Sequence, residues 1–185
     1  GSHALDLLTH LIGYPARVTS RFRTLYAQRP TKSGETERAL SEDQALILME
    51  MPNGALGTVE ASKIATGTND KFTLELRGTN GALKWNAMDP NYVYYYDQTL
   101  PERPLGGLRG FTQIESVQRY PAPGGSFLPP KNAIGWDRGH LHCYFTFLNA
   151  IAHGETPENS VFDGARLQKL LETIREADGK WMEVD

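Results

Sequence analysis

The chain has 185 residues, 39% of them hydrophobic and 22% charged, the proportions of a folded domain rather than a disordered chain. Nineteen basic against 22 acidic residues give a net charge of -3, which excludes a broadly basic nucleic-acid binder, and no apolar run reaches the ~20 residues a membrane helix needs. Cys143 is the only cysteine, so an internal disulfide and a zinc–thiolate cluster are both excluded, and a chain this long can bury roughly 70% of its unfolded surface without either.

The first element is a helix from Ser2, as N-cap, to about Ile12, stopped by Gly13. Leu5, Leu8 and Ile12, flanked by Leu7 and Leu11, make its apolar face, while His3, Asp6 and His10 share a polar stripe. Arg17 to Ala27 alternates as a half-buried strand, and Gln28 to Asp43, polar with four acidic residues, reads as a loop. Gln44 to Met51 and Ala55 to Lys63 form a hairpin about Pro52-Asn53-Gly54. Phe72 to Arg77 and Ala82 to Asn86 form another about Gly78-Thr79-Asn80-Gly81. Tyr92 to Asp97 is a strand with Tyr92, Tyr94 and Tyr96 on one face, and Phe111 to Tyr120 follows a Pro/Gly-rich excursion as a further strand. Residues 121–135 hold four prolines and three glycines, a loop of the kind that borders sites. A helix from Leu141 to His153 is apolar nearly all round and is expected to be deeply buried, with Cys143 as a packing residue. Phe162 to Ala177 is an amphipathic helix, Gly179 ends it, and Lys180 to Val184 is a short strand.

Strands and helices are segregated along the chain. That predicts an α+β fold with a large, open, mainly antiparallel sheet and helices packed on one face. No strand is followed by a Gly-x-Gly-x-x-Gly turn, so the chain carries no dinucleotide-binding unit of its own.

Several residues carry candidate chemistry. The His3, Asp6, His10 stripe suits a proton relay or a metal, or is a solvated helix face. His140 and His142 flank Leu141 at the start of a helix, where residues two apart do not share a face, so a metal site there is disfavoured. Trp136, Asp137 and Arg138 stand where a long loop meets a helix. They suit a hydroxylated ligand, with Trp136 stacking, or Asp137 is simply the helix cap. Lys63, at the end of a hairpin strand, is a catalytic candidate only if buried. The tyrosine stripe suits core packing or a subunit interface better than base or sugar stacking.

Three segments taken together resemble the C-terminal domain of the Gfo/Idh/MocA oxidoreductases, the relatives of glucose-fructose oxidoreductase and inositol dehydrogenase. Gly1-Ser2-His3-Ala4-Leu5-Asp6 is similar to the family's helix start. Glu42-Asp43-Gln44-Ala45, Asn53 to Ser62 and Leu76 to Leu83 are similar to its hairpins and Gly-Thr-x-Gly turn. Phe147 to Pro157 with Asp163-Gly164 is similar to its closing helices. The resemblance implies a single C-terminal substrate-binding and oligomerisation domain over residues 1–185, with the N-terminal Rossmann domain outside this chain. It implies an NAD(P)-dependent enzyme acting on a sugar or polyol hydroxyl, NAD or NADP being held mainly by that other domain. His3 takes the place of the catalytic acid/base, with Lys63, Trp136, Arg138 and His140 as substrate contacts. A homo-oligomer through the open sheet face, a cytoplasmic location, no metal, no nucleic acid and no membrane complete the expectation. Two alternatives stand beside it: a non-catalytic ligand-binding or assembly module of the same fold, and, more weakly, a metalloprotein. Gly1-Ser2-His3 is read either as native sequence or as the remnant of a cleaved tag.

Overall fold

A computed structural model describes residues 1–103, 107–116 and 132–185. The expected extension of the strand beyond residue 116 and most of the 121–135 loop lie outside the described residues. The chain divides into two compact units, Gly1–Gly67 with Asn159–Asp185, and Thr68–Glu158.

The first unit holds helix α1 (Ser2–Ile12), strands β1 (Arg17–Arg23), β2 (Gln28–Pro30), β3 (Thr36–Arg38), β4 (Gln44–Glu50) and β5 (Leu56–Ser62), helix α3 (Val161–Glu176) and strand β10 (Met182–Glu183). Its main sheet has the order β10-β1-β4-β5, with every neighbouring pair antiparallel. The β1–β4 register sets Val18 opposite Met49 and Ser20 opposite Ile47, and the β4–β5 register sets Ile47 opposite Val59. Alternation therefore puts Val18, Ile47, Met49 and Val59 on one face. Leu5 and Leu8 of α1, Leu170 and Ile174 of α3 and the adjoining Ala177 close over that face, all buried. Each fully covered aliphatic side chain contributes about 1.5–3 kcal/mol over its exposed state. The opposite face keeps Leu46, Leu48 and Leu56 half or more exposed beside Arg17, Arg21 and Glu60.

The second unit holds strands β6 (Thr73–Arg77), β7 (Gly81–Asn86), β8 (Tyr92–Asp97) and β9 (Phe111–Glu115), antiparallel in that order, and helix α2 (Trp136–His153). Leu74, Trp85, Val93 and Ile114 form one cross-strand row, and Glu75, Lys84, Tyr94 and Gln113 form a row on the other face. A Cβ on Gly81 would lie 2.5 Å from the Tyr96 carbonyl oxygen, so β7 and β8 start their approach at a position only glycine fills.

The α+β class and antiparallel pairing are as expected, with the strands among the described residues hydrogen-bonded into two four-stranded sheets and a β2–β3 ribbon. Four local expectations change. Gln28 to Asp43 is not wholly loop: a turn closed by Thr31 N–H donating to Glu35 O, with Gly34 at φ 86°, folds its first half into the ribbon. Its polar composition lacks the alternation that signals a strand. β1 ends at Arg23 rather than Ala27 because the next amides turn aside to a carboxylate, described below. Gly1, not Ser2, is the N-cap of α1, and no side chain caps it. The expectation of deep burial for the helix after Leu141 is overturned. It starts at Trp136, and Leu141, Tyr144, Phe145, Phe147, Leu148 and Ile151 are all about half exposed or more, and Cys143 is exposed as well. Only Arg138 and Ala150 are buried, with His142 half-buried between them, a single line at multiples of four residues. Apolar composition states that a side chain favours cover. It does not state that the same chain supplies that cover on every side.

Candidate functional site

The register of the first unit brings Arg23, Gln44 and Ser62 side by side, so β1 and β5 end and β4 begins at one edge of the fold. Helix α1 starts at the same edge. A Cβ on Gly1 would lie 3.5 Å from the Cβ of Ala61, two residues before Lys63. His3, in the first turn of α1, and Lys63, just past β5, are thus brought to one end of the unit, both open to solvent. Lys63 is therefore not the buried, activated lysine that amine catalysis needs. Asp6 and His10 continue the exposed stripe from His3, while Thr9, beside them, is buried and donates its hydroxyl to the Asp6 carbonyl at 3.1 Å.

The residue that organises this end is Asp43, which the sequence offers only within the Glu42-Asp43-Gln44-Ala45 segment and not as a site residue. Its carboxylate is almost fully buried. One oxygen accepts the backbone N–H of Leu25 at 2.8 Å and of Tyr26 at 3.0 Å, and the other accepts the Arg29 guanidinium. Its own N–H donates to Arg23 O, its carbonyl accepts Lys63 N–H at 2.8 Å, and Lys63 Nζ reaches Glu42 O at 3.3 Å. The ends of β1, β4 and β5 and the segment from Leu25 to Arg29 are all tied through this residue. The Tyr26 amide, with the Leu25 amide and the positive charges of Arg29 and Lys63, outweighs desolvation and holds the carboxyl below its ordinary 3.8. The available sequence signal was weak: an acidic residue at the last position before an alternating strand.

Trp136, Arg138 and His140 belong to the second unit, in the opening of α2. Asn91, just before β8, clamps the segment ahead of them: its side chain accepts Ile134 N–H at 2.6 Å and donates to Ile134 O at 3.1 Å. Gly135 is the N-cap, so Asp137 lies in the first turn instead of capping. Trp136 is 78% exposed and meets the His140 ring edge-on at 4.1 Å, whereas Arg138 is buried. An exposed indole braced by an imidazole is a suitable stacking surface for a ligand with an apolar face. On the second sheet, Tyr96 packs on Phe111 at 5.7 Å, beside a recess of about 240 Å³ that Arg77 and Gln98 also line. Among the described residues, no three His, Cys, Asp or Glu side chains gather where they could hold a metal ion.

A family model described as "Oxidoreductase family, C-terminal alpha/beta domain" matches residues 1–184. The chain belongs to this Gfo/Idh/MocA oxidoreductase family. Levoglucosan dehydrogenase of Pseudarthrobacter phenanthrenivorans is 25% identical over 99% of the chain and 50% of its own length. An oxidoreductase domain protein from Kribbella flavida, of known crystal structure, superposes with a TM-score of 0.88 at 29% identity, over 100% of this chain and 48% of that one. A levoglucosan dehydrogenase complex with NADH and L-sorbose superposes with a TM-score of 0.88 at 25% identity, over 100% of this chain and 49% of that one. The chain thus spans about half the length of these relatives.

The depressed Asp43 carboxyl makes a prediction about acid stability. A group whose folded value is lowered stabilises the fold above its unfolded value and loses that contribution as the pH falls through its folded one. Stability from Asp43 is therefore complete above about 3.8 and is lost below it. Asp43→Asn should flatten the acid limb of stability against pH, measured by urea unfolding at stepped pH, with lower stability near neutrality. An acid limb of unchanged slope would remove Asp43 from the account.

Proposed function

We propose that this chain is the C-terminal domain of an NAD(H)-dependent sugar or polyol dehydrogenase, acting as one domain that supplies the substrate side of the cleft. The observation that carries the reading is the convergence of His3 and Lys63 at one end of the first unit, where Asp43 fixes the surrounding backbone. Membership in the oxidoreductase family supports it, as do relatives named as levoglucosan dehydrogenase, one of them in complex with NADH.

This chain does not fit the cofactor itself. Among the described residues every strand pair is antiparallel, so no parallel crossover presents a glycine-rich turn at a helix N-terminus. The dinucleotide is assigned to an N-terminal Rossmann domain of the parent protein. The work left to this chain is proton transfer and recognition. His3 exchanges a proton with the reacting hydroxyl: neutral imidazole accepts it on oxidation, and imidazolium returns it on reduction. Exposed on the first turn, His3 meets a bound hydroxyl without displacing core packing. Lys63, held through its backbone by Asp43, donates to sugar oxygens as a mobile point charge. On the second unit taken by itself, the exposed Trp136 suits stacking on the apolar face of a sugar, with His140 against it. The parent is placed in the cytoplasm, where nicotinamide cofactors are plentiful and one unpaired cysteine needs no oxidising compartment.

The outer face of the first unit's sheet, with Leu46, Leu48 and Leu56 exposed, is proposed as the self-association surface. Leu48→Lys should then shift the parent to a smaller assembly by light scattering. An unchanged mass for that variant, or a monomeric wild type, would reject this surface.

In the parent supplied with NAD⁺ and a sugar substrate, His3→Ala should lower kcat by about 10²-fold or more, the usual scale of general acid–base catalysis. Activity at the wild-type rate would remove His3 from the role and the dehydrogenase site from this end of the fold.

A further inference from the structure

Asp43 presents an energetic puzzle. Burying a carboxylate carries a large desolvation cost unless it is fully hydrogen-bonded and paired. Asp43 meets both conditions, with two backbone amides and a guanidinium. Yet the two residues whose amides it holds do not enter the core. Leu25 is 49% exposed and Tyr26 is 60% exposed. The carboxylate draws the chain off the sheet after Arg23, so that β1 stops where its alternation could have continued. The result is a fixed backbone bearing an exposed aromatic side chain. The ribbon buttresses it from beyond, since Ala39 N–H donates to Ala27 O at 2.9 Å. Through the Lys63 N–H bond to the Asp43 carbonyl, the same residue fixes the start of the Lys63 segment.

We infer that Tyr26 forms an aromatic wall of the sugar site and that Asp43 is the positioning residue that holds it. The juxtaposition is at the edge where β1 and β5 end and α1 begins, the edge that carries His3 and Lys63. A pyranose or anhydro-sugar ring has an apolar C–H face opposite its hydroxyls. A tyrosine ring held in advance covers that face with little ordering cost, because only two side-chain torsions remain to be fixed. Polar contacts from Lys63 and His3 would address the hydroxyl side. Such a wall makes a contact present in ground state and transition state alike, so it acts on KM and not on kcat. Asp43 acts on the sugar only through the backbone of Leu25 and Tyr26. The inference rests on the dehydrogenase reading above and names part of its substrate surface.

The test uses the full-length parent with NAD⁺ and the best substrate from a panel of levoglucosan, D-glucose and myo-inositol. Tyr26→Ala should raise KM about five- to tenfold with kcat within twofold of wild type, and Tyr26→Phe, which keeps the ring, should restore KM. Asp43→Asn should raise KM as Tyr26→Ala does, and the double variant should be no worse than the worse single one. Tyr26 is exposed, so its variants do not disturb the core. A wild-type KM for Tyr26→Ala while His3→Ala is crippled would overturn this inference and leave the dehydrogenase reading standing. Fully additive effects of the two substitutions would reduce Asp43 to a structural anchor and overturn its positioning role. No turnover of any sugar in the panel, or a wild-type rate for His3→Ala, would overturn the reading on which the inference rests.

Discussion

The packing of α1 onto the first sheet is the constraint on which the site depends. Leu5 and Leu8 are buried among Val18, Met49, Val59, Leu170 and Ile174, with Leu5 only 1% exposed. A helix seated by two such side chains has little freedom to slide or roll, because interiors are close-packed and a shift of one turn would open a cavity. Its N-terminus is therefore delivered to the end of β5, and His3 with it. The catalytic candidate is exposed, but its placement is inherited from residues that are not.

At that same edge the main chain needs a second constraint, because three strand ends and a long connection meet there. Apolar packing cannot provide it, since the groups to be fixed are backbone amides and carbonyls, which must be paired when water is excluded. Asp43 provides it with side chain and backbone together, five bonds from one residue counted over its carboxylate, N–H and carbonyl. Breaking such an arrangement by removing one partner leaves the others buried and unpaired, which is more costly than never forming it. The strand ends and the Leu25–Arg29 segment are thus held by a polar network and the helix by an apolar one, and the two meet between Gly1 and Ala61.

The sequence carried much of this in its periodicities. The alternation of Val18, Ser20 and Phe22, and of Ala45, Ile47 and Met49, matches the inward face, and the Leu5/Leu8 spacing matches the seated side of α1. The hairpin about Pro52-Asn53-Gly54 follows from its turn chemistry, with Gly54 at φ 82°. What the sequence did not carry were interactions between distant residues with no period. Asp43 looks like any acidic residue ahead of a strand, and its partners lie 14 to 18 positions away, Leu25 and Tyr26 in a stretch that reads as strand and Arg29 in one that reads as loop. Ser160 and Asp163 close a capping box on α3 that starts ahead of the amphipathic pattern, which begins only at Phe162. Helix α2 misled in the opposite sense: its apolar residues signal a demand for cover, and only the line through Arg138 and Ala150 receives it. Of the site residues, His3 and Lys63 were legible as chemistry, and their convergence was not, since it depends on which end of the sheet α1 starts from.

A crystal structure of the full-length parent with reduced cofactor and a bound sugar tests that convergence. An imidazole nitrogen of His3 is expected within about 3 Å of one sugar hydroxyl, the reach a proton-transferring group requires, with Lys63 on the same ligand. A sugar bound beyond the reach of His3, even through one bridging water, would contradict it.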